Sequence, residues 1–368
     1  MDTTDLDIKF LGKLGCNHCA EMLSTLGISW FMDHAGEPKL NAIIEKIKNE
    51  GKGRKYDSIL GLSGGIDSAY VALKAFDWGL RPLVVHVDGG WNSELAVRNI
   101  QSILEYTGWE LYTQVINWKE MQDLQLAYFK SGIANLDVPQ DHAFFSSLYK
   151  FAAEHNIKYV LNGGNTSTEG IFPKSWHGAA MDGTNLRAIQ KSFGTMKMKN
   201  FPVTSFFRYY FYYPIFKGIR PIRPLNFIPY KKGDATEELV QRIGYVPYAR
   251  KHGESVFTKF FQDYFLIERF GIDKRLPHFS SLIVSGQLSR AEALDLLNKP
   301  NYEKMELKRD INYLCRKLRI NLDEFEQLLN APLRYSQEFD NWESKYKLLK
   351  TFQRIAETIL RKKLRIFS

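Results

Sequence analysis

Between residues 56 and 165 the apolar positions fall into two alternating kinds of run. Four are short and continuous, at 58–62, 82–87, 111–116 and 158–161, too brief for a helix and bounded by glycine or polar residues, and they predict buried strands. Between them the apolar residues recur at three- and four-residue spacing over 68–78, 93–106, 118–130 and 141–155, which predicts helices. A helix over 41–52 precedes the first strand. Strand and helix in alternation predict βαβ units and a parallel sheet, whose ligands gather at the carboxyl ends of the strands. The stretch 170–218 is aromatic without a clean period, and 222–230 is expected to resume as a strand. Beyond Tyr248 the pattern is helical. Ser289 with Glu292 and Asn321 with Glu324 each have the spacing of a capping box, and 345–365 predicts a basic amphipathic helix, read as a solvated face.

The loops at the predicted carboxyl ends are unusual. The first strand runs into Ser63-Gly64-Gly65-Ile66-Asp67-Ser68 and a helix. Two glycines allow a tight turn and leave no Cβ in the way of a ligand, and the amides that open the helix favour an anion. Ser63 and Ser68 add hydroxyls. Asp67, a carboxylate beside an anion site, makes sense with a divalent cation between the two. The lysine of a Walker loop is absent. The second strand ends at Asp88-Gly89-Gly90-Trp91, and the fourth ends in another glycine-rich polar loop, 162–170, which holds Gly164, Asn165 and Glu169.

Composition adds limits. With 368 residues and 44% hydrophobic positions there is room for one large or two medium domains, and a net charge of +9 suits anionic ligands. Three cysteines make no disulfide framework, which points to a reducing cytoplasm. No signal peptide opens the sequence and no apolar run is long enough to span a bilayer. Cys16 and Cys19 form a C-x-x-C knuckle able to give two thiolates to zinc, but no second pair exists to complete a four-ligand site. Cys315 sits in a basic helical context and reads as buried.

The loop 63–68 after a strand resembles the pyrophosphate-binding loop of the N-type ATP pyrophosphatases. That resemblance implies an α/β fold with a parallel sheet, of the adenine nucleotide alpha hydrolase-like type, and a reaction with ATP that releases pyrophosphate. It assigns ATP contacts to Ser63, Gly64, Gly65, Asp67 and Ser68, to Asp88 at the end of the second strand, and to Gly164 and Asn165. Lys231 and Lys232 match the lysine element that reaches the phosphates. Asp67 and Glu169 are the expected magnesium pair, although Glu169 stands one position later than in the NAD synthetases.

The segment from Lys251 to Ser285, with Lys251-His252-Gly253-Glu254-Ser255 and the later Gly271-Ile272-Asp273-Lys274-Arg275, is similar to the N-acetyl sugar amidotransferases of bacterial surface-polysaccharide (lipopolysaccharide O-antigen) biosynthesis. Most of residues 1–300 share that likeness. It implies conversion of a sugar N-acetyl group into an acetamidino group through an O-adenylyl intermediate. Lys251, His252 and Glu254 are expected in catalysis, and with Ser255, Lys274 and His278 in substrate binding. Ammonia would come from a separate glutaminase with a cyclase-like barrel subunit, since no glutaminase motif is visible. The family carries a further C-x-x-C just before the point where this sequence opens, so its absence suggests a start at an internal Met or loss of the zinc. Three regions follow: a knuckle and lead-in over 1–40, the ATP pyrophosphatase domain over 41–250, and a helical substrate or partner region over 251–368. The rival reading is a tRNA thiolase using the same loop with Cys16 and Cys19; a non-catalytic nucleotide-binding subunit is the third. Nucleic acid is not the expected partner, and a homo-oligomer stays open.

Overall fold

The computed structural model describes residues 1–12, 15–173, 176, 180–248 and 253–360. Five strands, β1 (Ser58–Gly61), β2 (Pro82–Asp88), β3 (Leu111–Val115), β4 (Tyr159–Leu161) and β5 (Arg220–Ile222), form one sheet in the order β3-β2-β1-β4-β5. Every pairing is parallel. The α/β fold expected from the alternating pattern is the fold observed.

β1 is buried along its whole length, as an apolar run between two neighbours must be. The order places it at the centre. The chain leaves β1 toward β2 and returns past it to β4, so the direction of winding changes between β1 and β4, and a crevice opens there.

The helices come where the periodicity predicts, with local reasons for their ends. Gly65 precedes Ile66–Asp77, and Ser93 caps Glu94–Thr107 by accepting from Ala96 N. Gly108 and Gly132 close two helices in the left-handed conformation. Both expected capping boxes are present, at Ser289 with Glu292 and Asn321 with Glu324. Glu343–Leu360 is helical at the carboxyl end.

One expectation fails. Residues 222–230 are not a strand: β5 is Arg220–Ile222, and Pro224–Asn226 is a turn of 3-10 helix. Pro224 lacks the N–H a ladder needs, and Asn226 turns inward, its Oδ1 accepting from Thr166 N at 2.8 Å.

The carboxyl-terminal helices share a core with the sheet domain. Phe257, Phe260, Phe265, Leu314 and Phe325 belong to one buried cluster with Trp91, Met121, Tyr128 and Phe129. Lys259 links the helices, reaching Asp310 and, at 2.9 Å, Glu306. The amino-terminal segment is tied down by Trp30, which is buried with Met22 and Ile171 and donates its indole N–H to Ser167 Oγ at 2.9 Å. Among the described residues no helix is long and apolar enough to cross a membrane.

Candidate functional site

The loop after β1 is held from behind. Gly64 has φ +84°, and a Cβ there would lie 2.7 Å from Ala96 O, so only glycine fits. Its carbonyl accepts from both Tyr245 OH and Tyr248 OH at 3.1 Å. In a trans peptide the C=O and the following N–H point in opposite directions, so anchoring Gly64 O turns Gly65 N–H away from the two phenols. That amide meets Ser63 Oγ at 3.2 Å, and Ser63 Oγ in turn lies 3.1 Å from Ser68 Oγ. The result is a bend with amides and hydroxyls on one side, at the start of a helix whose dipole favours negative charge.

The loop after β4 presses against it. A Cβ on Gly163 would fall 2.8 Å from Ser68 N and from the Asp67 carbonyl carbon. Asn165 bridges the two loops: its Oδ1 accepts from Thr168 N at 2.9 Å, and its Nδ2 donates to Asp67 Oδ1 at 3.0 Å. Tyr230 OH donates to the same oxygen. Burial, and then the nearby charges of Asp67 and Glu169, hold the Tyr230 phenol far above its ordinary range, so it stays a donor.

Two cavities meet at these loops. One, of about 410 Å³, is lined by Ser63, Gly65, Asp67, Ser68, Gly164, Glu169 and Lys232, with Leu148, Leu161, Phe144 and Phe145 as an apolar wall. The other, of about 500 Å³, is lined by His86, Asn92, Asp137, Gln140, Ser255, Thr258, Lys274 and His278. Ser63, Asp141, Phe144, Glu169 and Glu254 face both.

Backbone pairing delivers the later segment to this edge. Ser93 N donates to Glu254 O at 2.8 Å and Val256 N to Trp91 O at 3.0 Å, so 254–256 lies against the turn after β2. A Cβ on Gly65 would stand 3.2 Å from Glu254 Oε1. Ser255 Oγ donates to Gln140 Oε1 at 3.3 Å, Lys274 Nζ lies 3.7 Å from the centre of the Phe172 ring, and His278 Nδ1 bonds Thr168 O at 2.9 Å. Lys251 and His252 lie outside the described residues.

Several expected residues stand elsewhere. The Asp88 carboxylate shapes its own turn, accepting from Gly90 N at 2.8 Å and Asn92 Nδ2 at 3.1 Å, and it lines neither cavity. Lys231 precedes the helix Lys232–Ile243 and also lines neither, whereas Lys232 faces the first. Gly64 and Asn165 act from behind the surface. Cys16 and Cys19 line neither cavity; their Sγ atoms are 3.6 Å apart, and burial pushes the Cys19 thiol up. Their neighbour His18 gives Nε2 to buried Asp5 at 2.6 Å. Among the described residues no group of three or more His, Cys, Asp or Glu is placed to hold a metal, so the donor set of a structural zinc is missing.

Magnesium asks for less. It is held by one or two carboxylates and completes its shell with phosphate oxygens and water, and Asp67 with Glu169 on one cavity wall fits that requirement.

The sequence had not singled out Asp137, Gln140, Asp141, Tyr230, Tyr245 or Tyr248. Asp137 is buried at the second cavity, accepting from Gln140 Nε2 at 2.6 Å and Thr258 Oγ1 at 3.1 Å. Burial and then the neighbouring Asp141 charge push its carboxyl up to about 8.

Residues 254–355 match the family described as LPS biosynthesis protein WbpG-like, C-terminal domain. The match takes in Glu254, Ser255, Lys274 and His278. No curated protein matches the chain. Among solved structures, the chain is similar to an NMN synthetase from Francisella tularensis, at 16% identity over 78% of this chain and 96% of that one, with a TM-score of 0.35. It is similar also to an NAD+ synthetase from Burkholderia pseudomallei (16% identity, 60% and 91% of the two chains, TM-score 0.30). An NH3-dependent NAD synthetase from Campylobacter jejuni subsp. jejuni NCTC 11168 matches at 19% identity over 42% and 72%, with a TM-score of 0.28.

Proposed function

We propose that this chain, a parallel α/β sheet with a glycine loop at its switch point joined to a WbpG-like C-terminal domain of LPS biosynthesis, is an ATP-dependent, AMP-forming amidotransferase acting on an acetamido sugar. The observation that carries the reading is the meeting of two cavities at Ser63, Glu169 and Glu254, one walled by the anion loop and the other by the WbpG-like segment.

The first cavity takes ATP. Gly65 N–H, Ser63 and Ser68 bind the departing phosphates, Lys232 adds positive charge, and the wall of Leu148, Leu161 and Phe144 suits a flat base. Asp67, oriented by Tyr230 and Asn165, and Glu169 would hold magnesium, which when bound neutralises charge on the phosphates.

The second cavity takes the sugar, with Ser255, Lys274 and His278 along its wall. The amide oxygen attacks the α-phosphorus of ATP, the bond to the bridging oxygen breaks, and pyrophosphate leaves. Ammonia then adds to the activated carbon, loses a proton, and AMP departs with the former amide oxygen. Glu254 and Asp141, facing both cavities, are placed to accept that proton. A separate glutaminase with a barrel subunit would supply the ammonia.

The test incubates the chain with ATP, ammonium and UDP-linked acetamido sugars. Expected products are AMP, pyrophosphate and a sugar lighter by the difference between O and NH. ADP in place of AMP, or an unchanged sugar with every acetamido substrate, overturns the reading.

A further inference from the structure

A second charged concavity lies at the other edge of the sheet. It is built from the residues just before β1, β4 and β5, whereas the candidate site is built from those that follow β1 and β4. Its volume is about 780 Å³, and its titratable lining includes Arg54, Lys55, His155, Lys158 and Lys217, with no Asp or Glu.

Isolated surface lysines are ordinary. Here the cations are gathered from three separate segments, and two of them meet at one residue. Asn156, with φ +54°, accepts from Arg54 Nη1 through its carbonyl at 2.9 Å and from Lys217 Nζ through Oδ1 at 3.3 Å. Lys55 and Lys158 have carboxylate partners, Glu110 at 2.7 Å and Glu50 at 3.0 Å. Among the described residues Arg54 and Lys217 have none within ion-pair distance; their bonds go to a neutral amide, so their charge is left uncompensated.

The rim of this cleft is apolar and projects into solvent. Phe216, which lines it, is 69% exposed, and Phe207 and Ile215 are 56% and 49% exposed. Phe207 packs on Phe211 and Phe216, with ring centres 5.7 and 6.1 Å apart, so the exposed rings form one cluster on the wide helical turn Arg208–Phe216. Three large exposed apolar residues within ten positions are more than the scattered surface hydrophobics of a soluble monomer. Protein interfaces are depleted in lysine. Aromatic residues beside clustered Lys and Arg are instead what binds the boundary of an anionic bilayer.

We propose that this edge of the molecule docks on an anionic phospholipid surface, with a headgroup phosphate in the cleft of Arg54 and Lys217 and with Phe207, Ile215 and Phe216 entering the boundary region. The contact lies on the membrane without crossing it, and it leaves both candidate cavities at the far edge of the sheet.

The experiment sediments the full chain with vesicles of phosphatidylglycerol and phosphatidylcholine, and with vesicles of phosphatidylcholine alone. Binding is expected to the anionic vesicles, to be ~10-fold or more weaker without phosphatidylglycerol, and to fall with salt. Arg54→Glu with Lys217→Glu, and separately Phe207→Ser with Phe216→Ser, should each weaken it by ~10-fold or more while circular dichroism and AMP formation stay as in the wild type. The proposal is overturned if anionic vesicles are not bound, or if neither double variant alters binding. It is equally overturned if inorganic phosphate binds in the cleft while vesicles do not. Dissociation of a dimer by Phe207→Ser with Phe216→Ser, without vesicle binding, assigns the face to a second copy and rejects the lipid.

Discussion

The phenol of Tyr230 donates to Asp67 Oδ1 at 2.5 Å. That oxygen also accepts from Asn165 at 3.0 Å, so the orientation of the expected magnesium carboxylate is set by two neighbours rather than by its own rotamer. Tyr230→Phe keeps the ring against Tyr70, 5.6 Å away, and removes only the donor. Expected is a fall of ~10-fold in kcat/KM for ATP with a stability change of about 1 kcal/mol. Steady-state kinetics beside urea unfolding separate the two, and an unchanged rate would remove Tyr230 from the site.

Gly64→Ala adds one methyl group where none fits. The backbone conformation is left-handed and the new carbon meets a carbonyl oxygen of the neighbouring helix, not a side chain that can swing aside. The loop must shift, at a cost of about 1–3 kcal/mol for the backbone alone. AMP formation should fall below detection while the circular dichroism spectrum is kept. Full activity would mean that the bend does not seat the phosphates.

His142 makes stability depend on pH. Its Nδ1 bonds Ala180 O at 2.9 Å and its Nε2 accepts from Thr204 N at 3.0 Å, a pattern only the neutral ring can make. Burial holds its pKa down at about 4, against an ordinary value near 6.5 in the unfolded chain. Below pH ~6.5 the unfolded chain binds a proton that the folded chain does not, so stability is full above that value and declines as the pH falls toward 4. Melting temperatures across pH 4–7 should show this decline, and His142→Gln should flatten it.

Lys259 is 14% exposed and lies between Glu306 and Asp310, whose side chain is 8% exposed and also accepts from Tyr302. Lys259→Met removes the short ion pairs to both carboxylates and leaves buried Asp310 with the long contact to Arg309 Nε, at 3.9 Å, as its remaining described ion pair. A loss of about 3 kcal/mol is expected. Since Ser255 and Thr258 precede Lys259 in the same segment, the affinity for the sugar should weaken with it. Thermal unfolding and KM for the sugar check both parts.

Much of this could be read from the chain because local and global signals agree there. The short apolar runs became β1 to β4, and Ser63 to Ser68 fell at the switch point because the order of strands leaves a crevice beside β1. The strand expected at 222–230 stops at Ile222 because Pro224 has no N–H for a ladder and opens a 3-10 turn, although the apolar residues around it have the composition of a strand. Asp137, Gln140 and Asp141 carry no motif: on the helix Val138–Glu154 and its approach they resemble a solvated face, and it is the fold that brings Asp137 and Gln140 against Thr258 and sets Asp141 on the wall of both cavities. Tyr245 and Tyr248 carry no motif in the sequence. Their role appears only when both phenols are seen on the carbonyl of Gly64.

The bond from Trp30 to Ser167 reaches past its own neighbourhood. Ser167 stands two positions before Glu169, and next to Trp30 the amide of Phe31 donates to the carbonyl of Asn226, whose side chain holds Thr166. The opening thirty-odd residues therefore splint the very hinge that presents Glu169, and a shortened version beginning at the helix Glu37–Glu50 would keep its sheet while letting that acid drift.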